Sequence, residues 1–129
     1  MASGVLRGKA GGTINPCRFI KQSTAADNTF LQGAAATDIL IGISTEATQD
    51  SPLLGGTDAA TTGEMFEYNQ LQTTGLLELG GTVTAGDEIT SDANGKGVAA
   101  AADQVVGAIS DQAGVSGDKI RVLAVLFYK

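Results

Sequence analysis

The 129-residue chain has no histidine, no tryptophan and a single cysteine, Cys17. Without histidine, Ser-His and Cys-His nucleophile systems, imidazole-ligated zinc and the commonest general base are excluded. One cysteine cannot close an internal disulfide, so stability must come from packing or assembly. Aromatics are few: Phe19, Phe30, Phe66, Tyr68, Phe127 and Tyr128. Charge is sparse and lopsided, with 8 basic against 14 acidic residues and a net charge of -6. The basic residues are scattered and form no stripe that could neutralise a run of phosphates, so no nucleic acid is expected as a partner. No apolar run approaches the ~20 residues of a membrane-spanning helix, and the opening MASGVLRGKAGG lacks a signal peptide's apolar centre. The expectation is a chain made in a cytoplasm, with no membrane partner.

What is present is 43% hydrophobic residues, 18 glycines, and much Ala and Thr where bulkier residues could stand. The length fits one domain, able to bury roughly two-thirds of the surface its unfolded chain exposes. Short apolar segments separated by Gly and small polar residues predict strands at 18–22, 39–44, 76–79, 105–110 and 120–128. The last contains RVLAVLF, a near-continuous apolar run that predicts a strand covered on both faces, with Val122, Leu123, Ala124, Val125, Leu126 and Phe127 all in the core. In 64–72 the spacing of Met65, Tyr68 and Leu71 also fits a helix, while the Thr and Gly flanks favour a strand. Turn punctuation falls at Gly80-Gly81, Gly86-Asp87 and Gly117-Asp118. Residues 1–13, with glycine at 4, 8, 11 and 12 and little apolar surface, read as a flexible N-terminal arm ahead of a β-rich domain over 14–129.

The stretch AGDEITSDANGKG (85–97) gathers acids and glycines in the manner of a ligand loop. An EF-hand register with Gly95 at position 6 puts Thr90 at position 1 and Ala101 at position 12, so both end ligands fail. Gly95-Lys96 is followed by Gly97, where a phosphate loop needs Ser or Thr. Asn94-Gly95 is instead a hairpin signal, predicting a type I′ turn between strands at 88–91 and 96–100. A weak calcium site on Asp87 or Asp92 is the rival reading. Asp87 and Glu88 are adjacent, so in a strand they point to opposite faces and make a poor acid/base pair. No catalytic, cofactor-binding or metal-binding residue is predicted.

TDILIGISTEA (37–47) and ADQVVGAISDQA (102–113) share an Asp, aliphatics, a glycine (Gly42, Gly107) and a polar exit, each after an Ala tract. They suggest a diverged repeat over 14–50 and 82–125. The order GGTVTAGDEITSDANGKGVAAAADQVVGAISDQAGVSGDKIRVLAV (80–125), with PCRFIKQSTAADNTFLQGAAATDILIGIS (16–44) ahead of it, resembles the capsid cement, or head decoration, proteins of tailed bacteriophages. The resemblance spans most of residues 14–127.

It implies a mainly β fold, a small β-barrel or β-clip-like single domain, without enzymatic activity or cofactor. It further implies a structural role on the outside of an icosahedral head in the virion, the major capsid protein as partner, stabilised coat contacts, and a homotrimer on the capsid. In that setting Val5 and Leu6 are candidates for burial against the coat, Arg7 and Lys9 for pairing with its acids, and Phe127 and Tyr128 for a subunit contact. The competing class is a soluble carbohydrate- or ligand-binding β domain, and a carboxylate-pair enzyme comes third.

Overall fold

Residues 5–25, 27–45 and 62–129 are described by the structure, a computed structural model. They form β1 (Val5–Ala10), β2 (Phe19–Gln22), β3 (Thr29–Gln32), β4 (Leu40–Ser44), β5 (Met65–Gln70), β6 (Thr74–Glu78), β7 (Glu88–Ser91), β8 (Gly97–Ala99), β9 (Val105–Ser110) and β10 (Lys119–Tyr128). The first five close into a barrel in the order β1-β3-β2-β4-β5, and the others form a sheet in the order β6-β10-β9-β7-β8. The fold is small and mainly β. The 64–72 segment is a strand because burial alternates there with period two, Phe66 and Tyr68 inside and Met65 and Glu67 outside.

The two halves follow one pairing plan. Strand β2 pairs antiparallel with β3 and β4, as β7 does with β8 and β9. Strands β1 and β5 are antiparallel, as are β6 and β10. The parallel contact of β1 with β3 at Lys9↔Thr29 has its counterpart in the parallel bridge Leu79↔Gly97. Local chemistry repeats too. Ser44 Oγ accepts the Arg18 amide at 3.0 Å and donates to the Asn15 carbonyl at 2.6 Å; Ser110 Oγ accepts the Asp87 amide at 3.1 Å and donates to the Thr84 carbonyl at 2.6 Å. These serines, one residue out of step with the Gly42/Gly107 match, mark equivalent places. Consistently, Gly42 lies opposite Ile20 and Ala108 opposite Ile89. Residues 46 and 47 of the first stretch lie outside the described residues.

Turns into the strands use left-handed residues: Cys17 (φ 59°), Gly63 (88°), Gly86 (88°) and Gly117 (93°). At two of them the following acid closes the turn. Asp87 donates its amide to the Thr84 carbonyl (3.2 Å) and accepts the Thr84 amide on its carboxylate (2.9 Å); Asp118 does the same with Val115, both at 3.0 Å. The chain reverses there with few backbone groups left unpaired.

Ala10, Ile14, Ile20, Phe30, Phe66 and Tyr68 fill the barrel, Phe30 lying edge-on to Phe66 with ring centroids 6.1 Å apart. Burial pushes the Tyr68 hydroxyl above its usual range. The larger cluster joins the two halves: Phe19, Leu40 and Ile43 from the barrel pack with Leu77, Leu79, Val83, Ile89, Ala108, Ile120, Val122 and Ala124. Phe19 and Ile20, adjacent on a strand, therefore face different cores. A register shift in β4, where Phe19 pairs Ile43 but Lys21 pairs Leu40, brings Leu40 and Ile43 to the same side despite odd spacing. Bulk is exchanged between the halves where the strands meet in parallel. In the barrel Gly8 leaves room for the Phe30 ring; in the sheet Gly97 leaves room for Leu77, whose Cδ2 would lie 2.6 Å from an added Cβ.

Three sequence expectations need correction. The arm expected over 1–13 is, from Val5 to Ala10, a barrel strand hydrogen-bonded between β5 and β3, because Gly8 and Ala10 supply the small inward positions that the Phe30 ring requires; residues 1–4 lie outside the described residues. Strand β10 is covered on one face only: Ile120, Val122 and Ala124 are buried and Val125 half-buried, but Leu123, Leu126 and Phe127 are exposed. An antiparallel sheet can leave one face to solvent, and among the described residues no layer covers this one. The 92–96 connection is not a type I′ turn, since Gly95 has positive φ (75°) and Asn94 does not. Asp92 shapes it instead, its Oδ1 accepting the amides of Asn94 (2.8 Å) and Lys96 (2.9 Å).

Candidate functional site

The loop that most resembled a ligand site is taken up internally. Its tip lies against the barrel, where the Asn94 carbonyl accepts both Arg18 Nη1 (2.9 Å) and Gln32 Nε2 (2.8 Å) and the Gly95 carbonyl accepts the Phe19 amide (2.9 Å). Below it, the Glu78 carboxylate sits between Arg18 (3.5 Å) and Lys96 (3.3 Å), joining the end of β6 to both halves. One oxygen of each candidate carboxylate already accepts backbone amides, Oδ1 of Asp92 those of Asn94 and Lys96 and Oδ2 of Asp87 that of Thr84. Asp92 holds its own loop, and the Asp87 carboxyl is kept below the usual aspartate range chiefly by the Thr84 amide. Neither offers the convergent oxygens that the calcium alternative requires. Among the described residues no three Cys, Asp or Glu side chains gather as a metal set.

Of the residues singled out near the N-terminus, Arg7 and Lys9 share the outward face of β1, opposite Glu67 and Met65 in register. Neither forms an ion pair among the described residues, whereas Arg18, Lys21, Lys96, Arg121 and Lys129 all do. Leu6 has the inward parity of Gly8 and Ala10 but stands at the strand's end opposite Tyr68, 41% exposed. The strand therefore separates Leu6 from the two cations. Val5 opens β1, and its side chain lies outside the described residues.

At the far end of the molecule, Leu126, Phe127 and Tyr128 line an apolar groove with Ile39 and Val105. Tyr128 is 68% exposed and Ile39 65%. Ile39 also edges a second groove, where Leu31 and Ile41 stand beside the Lys21–Asp38 ion pair and other polar side chains. Sequence reasoning assigned Ile39 to a strand and did not see it as surface. The signal was the preceding Asp38, whose carboxylate accepts the Ala34 amide (2.9 Å) and the Ala35 amide (3.0 Å), making a turn that delivers Ile39 outside β4. The other four aromatics, Phe19, Phe30, Phe66 and Tyr68, are buried and cannot act as stacking platforms.

No family model matches the chain, and no curated protein sequence is similar to it. Among solved structures, the head fiber gp8.5 N base of bacteriophage phi29 shares the fold, with a TM-score of 0.69 at 14% identity over 93% of this chain and 92% of that one.

Proposed function

We propose that the protein is a structural component of a phage head, a decoration protein that binds the outer surface of the icosahedral shell and stabilises contacts between coat subunits. The observation that carries this reading is the full-length likeness to a head fiber base. The surface is consistent with it. Most polar groups inside the molecule serve turns or the junction of the halves, while an apolar groove and, among the described residues, three cations without an ion pair, Arg7, Lys9 and Lys119, remain outside. Each contact with a coat subunit can be modest, since a lattice repeats it at many equivalent sites. Catalysis plays no part in this role. In this reading Arg7 and Lys9 meet acidic coat residues, Leu6 and Val5 add burial, and copies gather as a trimer only where the lattice brings them together.

Co-sedimentation of the purified protein with expanded, undecorated capsids tests the role. Pelleting with capsids is the expected result; binding to glycans on an array without binding to capsids would replace it with the carbohydrate-binding alternative. Arg7→Glu with Lys9→Glu should weaken pelleting at low salt without changing the melting temperature. A density map of decorated capsids with isolated copies at every site would overturn the trimer.

A further inference from the structure

Strand β10 is longer than its neighbour on one side. Its pairing with β6 ends at Leu123↔Thr74, and Ala124 makes the last contacts there, with Gln72 and Thr73. Beyond Ala124 it meets only β9, across a β-bulge in which Val125 and Leu126 stand against Gly107 before pairing resumes at Phe127↔Val106 and Tyr128↔Val105. The Lys129 amide donates to the Gln104 carbonyl at 3.0 Å, so alternation turns the Tyr128 N–H and C=O the other way, where no described residue meets them. Among the described residues this is an open sheet edge; a β-bulge at Val125 and Leu126 bends it, but it carries no proline and no charge between Val125 and Tyr128. The side chains beside it, Leu126, Phe127 and Tyr128 with Ile39, are those of the apolar groove.

We infer that this edge accepts an extended segment of the coat protein as an added strand, its backbone pairing with Tyr128 and its apolar side chains, at alternate positions, entering the groove beside Ile39 and Leu126. The inference rests on the decoration reading and names the coat element that this end of the molecule holds. Unpaired backbone groups select an extended backbone as occupant, and the lack of charge along the edge selects an uncharged, apolar segment. A second copy is a poorer occupant. Pairing this edge with its own image is a two-fold contact only four residues long, between chains that each carry a net charge of -6. So short an edge is weak alone and suits a partner presented many times on one surface.

Two variants test it. Tyr128→Pro removes the free amide without taking a donor from the β9 ladder, and Leu126→Lys places a charge on the edge at a residue already 39% exposed. Both are checked for wild-type near-UV circular dichroism, and Leu126→Lys decides alone if the proline variant is misfolded. The expected result is at least tenfold weaker pelleting with expanded capsids for each folded variant, together with slowed hydrogen exchange of the Tyr128 amide when wild-type protein is capsid-bound. Wild-type-like pelleting of the folded variants would overturn the strand addition and leave the decoration role standing. Failure of the wild-type protein itself to pellet would overturn both. A wild-type dimer in sedimentation velocity that Leu126→Lys dissociates would assign the edge to a second copy instead.

Discussion

At Gly8 and Gly97 the missing side chain is a matter of space, and at Gly86 it is a matter of backbone angle. A Cβ on Gly8 would run into the Phe30 ring, so Gly8→Ala should cost about 1–3 kcal/mol by overpacking, read in urea denaturation, and should cost less when Phe30→Leu is introduced with it. Around Gly86 nothing lies within 4 Å, so Gly86→Ala should cost about 1–2 kcal/mol through its φ of 88° alone, with no rescue by any neighbour. Asp38 carries a pH signature. Burial pushes its carboxyl up, but the Ala34 amide, the Lys21 ammonium at 3.1 Å and the Ala35 amide together hold it below the usual range. A depressed carboxyl adds stability above its unfolded value of about 3.9, and that contribution is lost as pH falls through the lower folded value. Asp38→Asn should therefore melt lower than wild type at pH 7 and show a flatter fall in melting temperature below about pH 4.

At the scale of the strand, parity decides what a substitution does. Leu77 is fully buried, so Leu77→Ala should cost about 2–5 kcal/mol, whereas Leu126→Asp, on the open end of β10, should leave the protein folded by circular dichroism. Deleting residues 2–12 removes β1 and opens the barrel, so the remainder should lose its cooperative melting transition. The sequence made β9 and β7 legible to the residue, because VVGAIS is an apolar run set between Asp103-Gln104 and Asp111, and EITS leads into the Asn94-Gly95 turn signal. It left β1 illegible: VLRGKA has two cations and a glycine, and only the ring of Phe30, distant in sequence, explains why a glycine belongs there. The end of β10 misled in the opposite direction, since RVLAVLF is as apolar as a buried strand and nothing local says that no second layer arrives. The exposed groove shares this origin, because Ile39 and Tyr128 become neighbours only when the halves pack.

For the molecule as a whole, the shared cluster should make the two halves melt as one. Phe19→Ala, on a barrel strand, should cost about 3–5 kcal/mol and lower a single transition followed equally by probes in both halves; two separated transitions would show that the junction carries little of the coupling. Barrel closure also needs only residues 5–70, a contiguous stretch, whereas the partners of Phe19, Leu40 and Ile43 come from later in the chain. On the ribosome the barrel can close while the rest is still being made, at roughly 5–20 residues per second. For several seconds a finished barrel then shows three large bare side chains to solvent. Slow codons placed after residue 70 would lengthen that interval and should raise the share of newly made chain lost to aggregates, whereas the same delay placed before β5 should not.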